Sequence, residues 1–235
     1  KVLILIFLVT VILLAILINS GQIVLNPVEV AQQVTVVIAL LFFLYFVGLF
    51  IFGALSLSER KAFGAILLIC IASILFWAGF EQAGSSLNLF TRDFTNRLVA
   101  NFEIPTAWFQ SINSIFIIIL SPFFASLWIN LGKRLTQPYF GLKCAAGLLT
   151  MALGFIVMFF AAQVAASGLK VAPSWLITTY FLHTVGELCI SPVALSAISK
   201  LSPKRFTGQM MGLFTLTYSI GSLLAGLIAG KFNPE

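Results

Sequence analysis

Charged residues are scarce in this chain. Of its 235 residues only 9% are Asp, Glu, Lys or Arg, whereas 60% are hydrophobic. A soluble domain averages about 25% charged and roughly 45–50% apolar residues. The chain therefore has too little polar surface to cover a water-soluble fold. This excludes a soluble enzyme, a nucleic-acid-binding domain and a disordered tail.

Cysteine and histidine are also rare. The cysteines lie singly inside apolar runs, with neither paired disulfide spacing nor a CxxC pattern. We interpret these three as small core residues: Cys70, Cys144 and Cys189. The single histidine, His183, lies one turn before Glu187, so the two share a helix face. Such a pair could ligate zinc or relay a proton. A zinc site, however, normally takes three or four ligands. We expect a packed or pairing histidine and no metal site.

What the chain has in abundance is long apolar runs. Seven can be counted, at residues 2–18, 34–57, 62–90, 107–131, 140–166, 173–199 and 208–230. A transmembrane helix needs about 20 residues, with a range of about 17–25. Transmembrane strands would instead show alternating apolar and polar residues in segments of about 10, which this chain lacks. The first run is too long for a typical signal peptide, and no small-x-small cleavage site follows it. We predict an all-α, polytopic transmembrane protein.

The positions of Lys and Arg predict the orientation. If the seven runs alternate across the membrane, nine of the 13 Lys and Arg residues fall on the side that holds Lys1. The other side receives four: Arg92, Arg97, Lys170 and Lys231. Because short cytoplasmic loops carry the excess of Lys and Arg, the side of Lys1 is predicted to be cytoplasmic.

The seven runs are of two kinds. The first two are almost purely apolar and with their connection predict a helical hairpin over residues 1–57 that faces lipid. A regulatory or docking role is the alternative to a chemically inert appendage. The third, fourth and sixth runs carry Glu, Gln, Asn, Ser and His but no Lys or Arg. Because polar side chains in membranes face a bundle interior or a wet cavity, these helices are predicted to line one.

The seventh run carries a stripe of small residues at spacings of three and four. Its members are Gly208, Gly212, Thr215, Ser219, Ser222, Gly226 and Gly230. The usual meaning of such a stripe is close helix packing, which we predict here, with a substrate path as the alternative. Pro122 and Pro192 lie in the middle of runs, where each frees the carbonyl four residues earlier. A hinge and a static bend are both open interpretations.

Glu81 and Glu187 are the acids that fall well inside predicted spans, with Glu187 close to the midplane. An ionised acid at such depth costs about 2.5–3.5 kcal/mol on insertion scales. A buried acid that is close to the balance between its protonated and ionised forms can take up and release a proton as its surroundings change. A proton-coupled transporter requires such a group. The structural alternative is an ion pair or a protonated, hydrogen-bonded glutamate.

Four segments resemble one known family. FWAGFEQAGSSLNLF (76–90), AWFQSINSIFIIILSPFFASLW (107–128), GELCISPVALSAISKLSP (186–203) and RFTGQMMGLFTLTYSIG (205–221) resemble the seventh, eighth, tenth and eleventh helices of proton-dependent oligopeptide transporters. The resemblance implies a major facilitator fold of two six-helix bundles. Residues 1–57 would be the hairpin that bacterial members insert between the sixth and seventh helices. Residues 58–235 would hold helices seven to eleven, with helices one to six and twelve absent from this chain.

The resemblance also implies residue roles. Glu81 resembles the acid implicated in proton coupling, and Glu187 the acid that receives the peptide ammonium. Asn113 resembles an amide that contacts the peptide end. Trp77 resembles a pocket-lining aromatic, and Ser191 follows Glu187 on the same face. One departure concerns Phe214, where many relatives have Trp, so the aromatic wall of the pocket is expected to differ.

These implications predict a proton-coupled symporter of di- and tripeptides in the bacterial inner membrane, with protons as coupling ion and no cofactor. Expected partners are the peptide, the bilayer and the N-terminal six-helix bundle of the same protein, which should carry the ExxERFxYY motif. The alternative within the fold is a transporter of another solute, such as nitrate or a drug. An intramembrane hydrolase would need a nucleophile–base pair or an HExxH site, and we expect no enzyme and no nucleic-acid binding.

Overall fold

The computed structural model describes residues 20, 26–134 and 140–231, so the first apolar run, 2–18, lies outside the described residues. The described part is helical apart from short connections and one small hairpin. The helices are α1 (Pro27–Phe52), α2 (Leu57–Phe80), a 3-10 turn (Glu81–Gly84), α3 (Ser86–Phe94), α4 (Thr106–Arg134), α5 (Phe140–Ala166), α6 (Pro173–Leu201) and α7 (Thr207–Ala229). Strands β1 (Leu98–Val99) and β2 (Phe102–Glu103) pair antiparallel.

Six helical stretches of the described residues are long and apolar enough to cross a membrane. They are Glu29–Phe52, Leu57–Phe94, Thr106–Lys133, Phe140–Ala166, Pro173–Leu201 and Thr207–Ala229. Each coincides with one of the predicted runs. The prediction of an all-α, polytopic fold is confirmed, and the chain is a multi-pass membrane protein.

Helices α5 and α6 approach so closely that glycine is required at their crossing. A Cβ added at Gly147 would lie 2.5 Å from Cγ1 of Ile190 and 2.9 Å from the carbonyl oxygen of Gly186. A Cβ at Gly154 would lie 2.5 Å from Cδ2 of His183. The missing side chains let the two backbones pack at short range, as small residues do in membrane helices.

Within the part of the chain that the structure describes, no helix covers the small-residue stripe of α7, so its close packing stays a prediction. All seven stripe residues are exposed, and a Cβ at Gly208, Gly212 or Gly226 would meet no atom within 4 Å. The buried face of α7 holds Met210, Leu213, Phe214, Thr217, Ile220, Gly221 and Ala225. The larger apolar side chains, rather than the small ones, gain most from burial against α2.

Most large side chains of α1 are exposed, which matches the predicted lipid-facing helix. Its inner face is aromatic: Phe42 and Phe46 are buried, and the Phe46 ring lies 5.5 Å from that of Phe63 on α2. The turn that follows α1 is fastened to the α6–α7 loop, because Arg205 donates to the carbonyl of Ala54 at 3.0 Å and to Glu59 at 3.3 Å.

The packing of α7 on α2 depends on Gly221. A Cβ there would lie 2.5 Å from Cβ of Trp77 and 3.1 Å from the backbone nitrogen of Ala78. We expect Gly221→Ala to destabilise the protein by about 1–3 kcal/mol, the usual cost of overpacking. The exposed Gly226 is the matched control, since Gly226→Ala adds a methyl in open space and gains about 1 kcal/mol of helix propensity. Thermal unfolding in detergent measures both, and equal losses would contradict the assigned face.

Candidate functional site

The predicted continuous helix over 62–90 is in fact interrupted beside Glu81. Helix α2 ends at Phe80, a single 3-10 turn follows, and Ser85 has φ −123° and ψ −99°, outside the helical region. Hydropathy averaged over the whole span did not show this interruption, because residues 57–94 remain apolar enough to count as one span although residues 81–86, EQAGSS, are small or polar.

Gln82 stabilises the interruption. Its side chain is 3% exposed, and its amide nitrogen donates to the carbonyls of Ala78 and Ala225, both at 3.2 Å. Its carbonyl oxygen accepts from the hydroxyls of Ser85 and Ser86. In a membrane, irregular backbone is tolerated where protein groups satisfy it. Gln82 therefore ties the broken segment to α7 and fixes where Glu81 stands.

Glu81 is the first residue of the 3-10 turn, and its side chain is exposed rather than buried as the sequence predicted. It borders a cavity of about 200 Å³. The lining residues are Phe80, Glu81, Ala83, Gly84, Gln110, Asn113, Tyr180 and His183. Three elements meet here: the interruption, α4 and α6. Among the described residues that line it, there is no Lys or Arg.

Asn113 joins α4 to the acid of α6. Its amide nitrogen donates to the hydroxyl of Thr184 at 3.0 Å and to Oε2 of Glu187 at 3.2 Å. The Thr184 hydroxyl donates its own hydrogen bond to the carbonyl of Tyr180, at 2.7 Å. Thr184 can therefore only accept from Asn113, which fixes the nitrogen of the amide, not its oxygen, toward α6.

The sequence did not single out Thr184. The signal was present, because Thr184 lies three residues before Glu187 and so shares its helix face. Through this hydroxyl, Asn113 and Glu187 are held as one hydrogen-bonded unit. Asn113 also lines the cavity that Glu81 borders, so the structure brings both predicted acids to one region.

Trp77 and Ser191 lie outside the lining of this cavity. Trp77 is 8% exposed, and its ring centre is 4.4 Å from that of Tyr218 on α7. The hydroxyl of Tyr218 in turn lies beside Ser191. Phe214 is buried and meets Tyr218 edge to face at 5.5 Å, so it does belong to an aromatic wall. Tyr218, which the sequence reasoning missed, connects these residues.

His183 is packed, as predicted, and does not pair with Glu187. Its side chain is 1% exposed, lies against Gly154 and has its ring centre 5.0 Å from that of Phe155. Within the described ranges, no group of three or more His, Cys, Asp or Glu residues is placed to hold a metal ion.

Comparison of the sequence with known proteins gives a consistent result. Residues 50–234 match the POT family. The chain is 43% identical over 221 residues to peptide transporter YePEPT of Yersinia enterocolitica, covering 93% of this chain and 43% of that protein. It is 32% identical to dipeptide and tripeptide permease A of Chromobacterium violaceum, covering 78% and 37% respectively. The chain thus spans less than half the length of these relatives.

Solved structures resemble the fold. A crystal structure of peptide transporter POT in complex with sulfate superposes with a TM-score of 0.84 at 36% identity, covering 99% of this chain and 46% of that one. A POT family transporter in complex with 5-aminolevulinic acid superposes with a TM-score of 0.82 at 27% identity, covering 97% and 47%.

The Asn113–Thr184 bond can be tested through stability. We expect Thr184→Val to destabilise the protein by about 1 kcal/mol, because the half-buried amide of Asn113 loses one of its two acceptors. In an Asn113→Ala background the same change should cost much less, since no amide is left unpaired. Thr215→Val, on the exposed face of α7, is the control. Equal costs of Thr184→Val in both backgrounds would show that the two side chains are not coupled.

Proposed function

Because this chain belongs to the POT family, we propose that it is the C-terminal part of a proton-coupled symporter that carries di- and tripeptides across the bacterial inner membrane by alternating access. The resemblance inferred from the four sequence motifs is confirmed by the family match and by the relatives. The names of the relatives, peptide transporter and dipeptide and tripeptide permease, support the substrate class.

The proposed organisation assigns residues 1–57 to an inserted hairpin and residues 58–235 to helices seven to eleven. In this numbering α2 is helix seven, α4 helix eight, α5 helix nine, α6 helix ten and α7 helix eleven. The share of the relatives that the chain covers, 43% for the Yersinia protein, supports a second half elsewhere in the polypeptide. That half is the proposed N-terminal six-helix bundle, the main protein partner of this chain.

The observation that carries the proposal is the Asn113–Glu187 unit beside the cavity that Glu81 borders. Glu187 accepts a hydrogen bond from a neutral amide, and no Lys or Arg of the described residues forms an ion pair with it. Its negative charge is therefore available to a cationic ligand. Glu187 would therefore bind the ammonium group of a peptide. Asn113 would hold the side-chain carboxylate of Glu187 in place and contact the same end of the peptide. The peptide carboxylate would be held by basic residues of the N-terminal bundle.

Glu81 is the proposed site of proton coupling. It is exposed at the cavity that Asn113, the partner of Glu187, also lines. A proton on Glu81 would remove a negative charge from the neighbourhood of Glu187 and so change how the two acids repel each other. Protonation and deprotonation of Glu81 would thereby be linked to binding of the peptide ammonium at Glu187.

Trp77 and Ser191 complete the proposed substrate site. Trp77 would form part of the side-chain pocket through its contact with Tyr218, and Ser191 would lie near the peptide backbone one turn beyond Glu187. Phe214 widens this region relative to a Trp, so side-chain preference is expected to differ from relatives that carry Trp.

A transporter of nitrate or another anion is less well supported. An anion would need a cation or a row of donors, whereas the described lining of the cavity offers an acid and no Lys or Arg. Nor does the site suggest an enzyme, since the family to which the chain belongs is one of transporters.

The proton role is tested by Glu81→Gln in the complete transporter, reconstituted in liposomes. We expect accumulation of labelled dialanine under an inward proton gradient to fall to the level without a gradient, while peptide exchange continues. Glu29→Gln, at the exposed start of α1, is the control and should transport as the wild type does. Uphill accumulation that survives Glu81→Gln would refute the assignment, and no peptide flux in the wild type would refute the substrate.

The role of Glu187 is tested by comparing two ligands. Glu187→Gln should weaken binding of dialanine by at least about tenfold, which is the loss of about 1.4 kcal/mol, because the ammonium loses its counter-charge. Binding of N-acetyl-dialanine, which has no ammonium, should change little. Equal losses for both ligands would mean that Glu187 does not contact the peptide amine.

A further inference from the structure

Pro192 leaves a backbone carbonyl of α6 without its helix bond, and α4 satisfies that carbonyl. Pro192 lies inside α6 and cannot donate to the carbonyl four residues earlier, which belongs to Leu188. The indole Nε1 of Trp128, on α4, donates to that carbonyl oxygen at 3.3 Å. Trp128 therefore replaces across two helices the bond that Pro192 removes within one.

The Trp128 ring is itself held in place. Nζ of Lys143, on α5, lies 4.2 Å from the ring centre, and Phe124 lies 5.9 Å away on α4. A cation over an indole face is attracted by the ring quadrupole. Three helices thus meet at one side chain, which fixes the indole where it reaches α6.

The position of this contact matters because Leu188 follows Glu187 directly. The same pair of helices, α4 and α6, is joined one residue earlier by the Asn113–Glu187 bond. The two bonds hold α6 against α4 at Glu187 and at the carbonyl beside it. A change in the kink would rotate Glu187 relative to Asn113.

We propose that Trp128 is a positioning residue: its indole N–H fixes the kink that a proline imposes inside a helix, here at Pro192 of α6, and so holds Glu187 in register with Asn113. This inference rests on the proposed function only for the consequence that Trp128 tunes recognition of the peptide ammonium. The structural part, the replacement of a missing helix bond by an indole, stands independently.

The test is a double-mutant cycle in the complete transporter. Trp128→Phe keeps an aromatic ring beside Lys143 but removes the donor. Pro192→Ala restores a backbone N–H that can donate to Leu188 within α6. The cycle compares wild type, each single variant and the pair. Trp108→Phe is the matched control, because Trp108 is an exposed residue of α4 that stacks on Phe102.

With Pro192 present, Trp128→Phe should weaken binding of dialanine by about fivefold, in line with the loss of one half-buried hydrogen bond. Binding of N-acetyl-dialanine should change by less than about twofold, because that ligand does not use Glu187. In the Pro192→Ala background, adding Trp128→Phe should have little effect on either ligand. A general loss of packing would weaken both ligands in both backgrounds, which would overturn the inference.

A measurement without ligand separates this inference from the proposed function. Amide hydrogen exchange over residues 188–196 should become faster in Trp128→Phe and return toward the wild-type rate when Pro192→Ala is added. If the wild type binds no peptide but this pattern appears, the proposed function fails and the kink assignment stands. If the wild type binds peptide and exchange is unchanged in Trp128→Phe, the kink assignment is wrong.

Discussion

In the hydrocarbon core of a membrane no water is at hand, so every backbone group that leaves a helix bond must find a partner in the protein. The irregular places of this chain are organised by that requirement. The interruption after α2 is held by Gln82, which binds carbonyls of α2 and α7. The carbonyl released by Pro192 is bound by Trp128. In both cases a side chain joins two helices because one helix lacks a bond.

The same requirement explains why the candidate site lies where it does. Glu81 stands at the interruption after α2, and Glu187 precedes the carbonyl that Pro192 leaves without a helix bond, so each acid lies next to a gap in the helical hydrogen bonding. A regular helix would carry both acids on rigid, fully bonded turns. At these two places the helix path instead depends on contacts between elements, and a movement of α4 or α7 reaches the acids directly. The positions of both acids thus depend on hydrogen bonds between helices and not on one helix alone.

The sequence predicted the six spans that the described residues contain, and the family, because hydropathy over some 20 residues and the four motifs are properties of the sequence alone. It did not predict the interruption at Ser85, because the span as a whole stays apolar although residues 81–86 are small or polar. It also did not identify the face of α7 that packs on α2, because that face holds large side chains and Gly221 rather than the small-residue stripe. Trp128 was missed because its partner lies on another helix, whereas Thr184 could have been found from its place on the helix face of Glu187.

Helix α4 shows what the described residues leave open to a partner. It supplies Asn113 and Trp128 to α6, yet Gln110, Ser111 and Ser114 are exposed. Amide and hydroxyl groups in a membrane span favour a protein neighbour or water over lipid. A helix that gives one polar face to α6 and presents another outward is suited to the boundary between two bundles. In the proposed transporter that boundary is the peptide path, so the acids of this chain would face the basic residues of the other bundle across it.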